Sequence, residues 1–208
     1  MTAPWTRTSV VAIVWMIACV RTAGAQPLWE PPSIGDGRQF PVIAVPSDLI
    51  PALGIDKREI VLDRTPLADA AQWFKARIGR RGAGSESLGW VCIAGRDAEG
   101  RWMLWLQSGE IHGNAVGAFH LRRIGAAERI DAKCVSSRAG VRNAAGLRLG
   151  MSRADVRRML GDSSGTPPMV AYLYEHPGAG GVTIESMISV VFANDAVTAF
   201  EVWRTETN

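Results

Sequence analysis

The sequence predicts an α+β protein made of two tandem units. Each unit is a short helix followed by a three- to four-stranded antiparallel sheet, and an extended Pro-rich arm precedes both. Three observations predict this. Apolar residues recur at helical spacing in two short stretches near residues 67–78 and 153–160. Each stretch is followed by segments of period two, separated by Gly, Asn or Asp turns. The 208 residues, 47% apolar and 21% charged, have the composition of a globular chain long enough to bury a core.

Residues 1–25 read as a signal peptide. Arg7 supplies the positive region, Val10 to Val20 is an uncharged apolar run, and Ala23-Gly24-Ala25 is a small-residue cleavage site. The run is too short to span a bilayer as a helix. Cleavage after Ala25 is expected. A retained anchor helix is one rival reading. A degenerate lipoprotein site acylated at Cys19 is the other, and without an anchor helix membrane association is expected only if Cys19 is lipidated. Removing Arg7 and Arg21 leaves 21 basic against 20 acidic residues, from 23 and 20, a balance of +1. The basic pI therefore gives no nucleic-acid footprint, and the three Arg-Arg pairs are scattered.

Residues 26–59 form the arm, rich in Pro and Gly, with a short edge strand at Phe40 to Val45 limited by Pro41. The first unit covers 60–125. Thr65 is the expected N-cap and Pro66 the first helical residue, and Leu67, Ala70, Ala71, Phe74 and Ile78 make an apolar stripe. Strands are expected at 90–94, 101–107 and 115–124. Residues 126–145 read as a connector. The second unit, 146–208, opens on Gly150 to Gly161. Ser152 is its cap, Asp155 lies in the first turn, Val156, Met159 and Leu160 form one apolar face, and Gly161 is a stop. Strands at 169–175, 186–193 and 196–204 follow, the last two joined by an Asn194-Asp195 turn.

Cys92 and Cys134 are the two cysteines left after the leader. An even pair in an exported chain reads as a disulfide, in preference to a redox or metal pair, since there is no CxxC and no His cluster nearby.

The run Leu149-Gly150-Met151-Ser152-Arg153-Ala154-Asp155-Val156-Arg157-Arg158-Met159-Leu160-Gly161 resembles the small outer-membrane assembly lipoproteins of the SmpA/OmlA (BamE) family. There a G-M-[ST]-x-x-x-V-x-x-x-[LM]-G run ends a short helix before antiparallel strands. Val190-Val191-Phe192 ahead of the Asn-Asp turn is similar to that family's closing hairpin. The doubled unit is similar to the β-lactamase inhibitor protein (BLIP-like) fold, whose tandem halves make one sheet with an aromatic concave face. The resemblance implies a protein of the cell envelope that binds another envelope protein, does no chemistry and takes no cofactor.

Three candidate constellations remain. Trp102, Trp105, Tyr172, Tyr174 and Trp203, with Arg101 and Arg204 at the rim, suit a protein-binding sheet face. Alternation sends Trp102 and Trp105 to opposite faces and Tyr172 and Tyr174 to the same one. Each taken singly is also a core candidate, but at least one aromatic is expected to look outward. Glu110, His112 and His120 are the densest titratable set. They lack a third convergent metal ligand, and they carry the rival reading of a hydrolase using His112 or His120. Gly161-Asp162-Ser163-Ser164-Gly165 looks like the surround of a serine nucleophile, without the His setting such a site needs. Within the binding class, the alternative is an inhibitor or immunity protein that plugs the active site of an envelope or secreted hydrolase. The expected location is periplasmic or secreted.

Overall fold

The computed structural model describes residues 28–32, 52–84, 87–109, 112–138, 140–143, 146–163 and 168–207. It is mostly antiparallel sheet with two helices, the α+β class that the two periodicities predict. The expected leader with Cys19 and Ala25, the expected strand at 40–45, Glu110 and the Ser164-Gly165 pair lie outside the described residues.

The chain runs β1 (Ala52–Ile55), β2 (Arg58–Val61), α1 (Leu67–Phe74), β3 (Ile78–Arg81), β4 (Leu88–Asp97), β5 (Gly100–Gly109) and β6 (Ala118–Ile124). It continues through β7 (Val135–Ser137), β8 (Val141–Asn143), α2 (Arg153–Leu160), β9 (Met169–Pro177), β10 (Thr183–Ala193) and β11 (Ala196–Thr207). The large sheet has the order β3-β4-β5-β6-β11-β10-β9, and β7 lies parallel to β4 beyond the end of β3. The small sheet has the order β2-β1-β8. Pairing of β6 with β11, from Ala118↔Trp203 to Arg122↔Ala199, makes the large sheet continuous.

Local sequence explains several boundaries. Helix α2 starts at Ser152 as expected. Its hydroxyl accepts from the Asp155 N–H at 3.2 Å and donates to the Asp155 carboxylate at 2.7 Å, satisfying a free helix-start donor. The Asn194-Asp195 loop takes positive φ at both residues (49° and 62°), the geometry that matches the strand twist of a two-residue hairpin. At the β4–β5 hairpin, Asp97 Oδ1 accepts from Glu99 N at 2.9 Å and Gly100 N at 3.1 Å, closing the turn.

Other boundaries differ from expectation. Helix α1 is capped at Pro66, with no side-chain cap bond. Thr65 Oγ1 instead accepts from Val61 N at 2.9 Å, so it serves the turn that leads into the helix. The helix stops at Lys75 in the left-handed conformation (φ 53°), and Ile78 belongs to β3. Residues 52–59, read as the end of the arm, join the first two residues of the first unit in the β1–β2 hairpin, and the connector contributes β7 and β8.

The large sheet has two unlike faces. On one, Val91, Ile93, Trp102, Leu104, Leu106, Phe119, Leu121, Phe200 and Val202 pack with α1, α2 and the small sheet into the main core. On the other, Trp90, Cys92, Ala94, Met103, Trp105 and Ile124 form a smaller core, closed by Leu28, Trp29, Ile130 and Cys134. Cys92 and Cys134 are joined by a disulfide, with Cα atoms 4.7 Å apart, as the even pair predicts. Gly79 is needed here: a Cβ would sit 2.2 Å from the Trp90 ring laid over it. Among the described residues no helix is long and apolar enough to cross a membrane.

Candidate functional site

Strand alternation sorts the sequence-predicted aromatics onto opposite sides of the sheet. Trp102, Tyr172 and Tyr174 face the helices, while Trp105 and Trp203 face away. The seven residues therefore do not form one patch. Trp102, Trp105 and Tyr172 are buried at 2% exposure or less, whereas Tyr174 and Trp203 are half-buried. Burial pushes the Tyr174 hydroxyl up to about 12.

The flanking arginines are both engaged. Arg101 donates to the carbonyls of Gly125, Ala126 and Glu128 at 3.1–3.3 Å, holding down the chain after β6. Arg204 lies on the helix side, ion-paired to Asp63 at 3.2 Å and Glu206 at 3.7 Å. Burial raises the Asp63 carboxyl, while His112 and Arg204 oppose that rise.

The two histidines are not brought together. His112 sits in the β5–β6 loop, accepting from Gly109 N at 3.4 Å on Nδ1 and contacting the Arg204 carbonyl at 2.8 Å through Nε2. That contact makes Nε2–H the donor and gives His112 a loop-clamping role; a Cβ on Gly117 would overlap its ring. His120 lies on the face away from the helices. Among the described residues, no three His, Cys, Asp or Glu side chains are placed to hold a metal ion.

The face away from the helices is not uniform. Its β4–β5 half is covered by Leu28 and Trp29 and by the disulfide-linked stretch around Ile130 to Cys134. The rest of the face holds two kinds of side chain. The first is a polar row set by the register Ser189↔Glu201↔His120↔Trp105 across β10, β11, β6 and β5. Ser189, Glu201 and His120 are 0%, 8% and 1% exposed. No hydrogen-bond partner reaches Ser189 Oγ, Glu201 Oε2 or either His120 ring nitrogen among the described residues. The Trp105 ring meets His120 edge-on, with centroids 5.4 Å apart.

Burial drives both ionisable groups of this row toward neutrality. Glu201 is pushed up to about 7, and His120 is pushed down to about 3 by burial first and Arg122 second. A carboxyl whose pKa is raised on folding stabilises the fold below its unfolded value near 4.5, and loses that contribution as pH rises through about 7. A depressed histidine does the reverse, contributing above 6.5 and losing its contribution as pH falls toward 3. Glu201→Gln removes the ionisable carboxyl. It should stabilise the protein at pH 8 by roughly 3 kcal/mol and by much less at pH 5. Urea melts at the two pH values measure this, and an equal effect at both would refute it.

The second is apolar and flanks the row on both sides. Trp203, Met187 and Leu173 are lateral neighbours on β11, β10 and β9, with Glu185, Glu175 and Thr205 in the next rank outward, while Val191 and Met169 lie across the row, beyond Ser189 and Ala171. Trp203, Leu173, Val191 and Met169 are half-buried, and Met187 is 7% exposed. Only Trp203 of this set is visible in an aromatic count. The rest is signalled by the period-two run Glu185, Met187, Ser189 and Val191, which shares one face by alternation. No family model, no curated protein and no solved structure matches the chain.

Proposed function

We propose that the chain is an exported, non-enzymatic protein-binding module of the bacterial cell envelope, cleaved after Ala25. In this reading it consists of two tandem helix-plus-sheet units joined edge to edge at β6 and β11. The observation that carries the binding role is the rank of half-buried Trp203 and Leu173 on either side of Met187, on the sheet face opposite the helices, with half-buried Val191 and Met169 across the Ser189 row. Solvent-accessible apolar side chains gathered on a rigid sheet suit recognition of another protein, with Trp as the preferred anchor. The Cys92–Cys134 bridge supports an oxidising compartment, and Ala23-Gly24-Ala25 after a short apolar run supports the leader.

The test is a photo-crosslinkable residue placed at Leu173 of the full chain expressed in its own envelope, with a second one at Arg158, an exposed position on α2. The expected result is a discrete protein adduct from the first position, absent from the second and lost in Trp203→Ala. Equal adducts from both positions, or none from Leu173, would overturn the assignment of this face. Intact mass of the exported product checks the leader.

A further inference from the structure

The chemistry of this face specifies more than an apolar partner, provided the reading that it binds protein is right. Glu185 and Glu175 are direct cross-strand neighbours on β10 and β9, and they share the face of Trp203. Like charges placed opposite one another on a sheet repel. Among the described residues neither has an ion-pair partner. The cations nearest in the register are committed elsewhere: Arg204 points to the helix side, to Asp63 and Glu206, and Arg122 on this face is bonded to Glu128 at 2.7 Å. The next acid on the face, Glu201, is more than nine-tenths buried, and its Oε2 has no partner. The rank Met187, Trp203 and Leu173 adjoins the rank Glu185, Glu175 and Thr205. An indole face and a pair of unneutralised carboxylates are thus one residue pair apart along the strands. That arrangement suits a guanidinium, which stacks on an aromatic face and bonds a carboxylate through its edge.

We propose that this surface binds a partner protein segment carrying an arginine or lysine flanked by apolar side chains, with the cation stacked on Trp203 and paired to Glu185 and Glu175. The apolar flanks rest on Leu173 and Met187. The surface is acidic where the overall charge of the chain is not, so the selection is local.

The probe is an acetylated, amidated Val-Arg-Val-Arg-Val peptide, with a neutral isostere in which citrulline replaces arginine. Titration of the full mature chain is followed by calorimetry and by the NMR signal of the Trp203 indole N–H. The expected result is movement of that signal by the arginine peptide, with affinity about tenfold above that of the citrulline peptide and falling as salt is raised. Glu185→Gln, which removes one of the two repelling carboxylates and should not lower the melt, should reduce the arginine peptide to the citrulline level. If both peptides bind equally, lose binding in Trp203→Ala and ignore Glu185→Gln, the cation is overturned while the binding face stands. If neither moves the Trp203 signal in a folded protein, both the cation and the face are overturned.

Discussion

Trp105→Ala should cost about 3–5 kcal/mol and lower the melting temperature by on the order of 10 °C. The side chain is fully buried in the core on the face away from the helices. Its indole N–H donates to the Trp29 carbonyl at 3.0 Å, its ring meets His120 edge-on, and the Arg122 guanidinium lies 5.8 Å from its centroid. Truncation leaves a cavity and orphans the Trp29 carbonyl, so the segment from Leu28 to Pro32 loses its anchor. Trp203→Ala, at a half-buried position, should cost much less stability. Thermal melts of the two variants compare them directly. A small shift for Trp105→Ala would mean that the covering segment packs less firmly than its contacts indicate.

The second large effect is expected from the disulfide. Cys92 and Cys134 are 42 residues apart, and in the loop-entropy account a bridge of that length stabilises by about 4 kcal/mol. The double variant Cys92→Ala/Cys134→Ala should lose that amount in a denaturant melt, and reductant should bring the wild type to the same midpoint. The loss should be felt first around Leu28 and Ile130, which pair through a short parallel bridge on the chain that the disulfide holds. Hydrogen exchange on Asp131 and Cys134, whose N–H groups bond the Leu28 and Asp131 carbonyls, should rise ahead of exchange in β10 and β11. Uniform exchange, or an unchanged midpoint, would rule this out.

Much of the fold was legible in the residues themselves. Ser152, Asp155 and Gly161 delimit α2 because their bonds and backbone angles are local. Asn194-Asp195 fixes the last hairpin for the same reason, since few residue pairs accept two consecutive positive φ values. The alternation of Trp102 with Trp105, and of Tyr172 with Tyr174, gave their sides of the sheet correctly. The pairing of Cys92 with Cys134 followed from the even count. By contrast, β1, β2, β7 and β8 are only three or four residues long, too short for a periodicity to show. β7 is also held by a parallel pairing to β4 that no turn signal announces.

The candidate site divides along the same line. The sequence by itself determined which residues share a face, because side-chain direction in a strand depends only on parity. It could not determine what covers each face. That is decided by segments far away in the chain: Leu28, Trp29 and the Ile130 to Cys134 stretch seal Trp105, while α1, α2 and the small sheet seal Trp102 and Tyr172. Burial is a property of long-range packing, so an aromatic that reads as a binding residue in a strand becomes core once another element lies over it. Tertiary structure alone left Trp203 partly open beside Glu185 and Glu175, while it buried Glu201 and Ser189 one rank away on the same face.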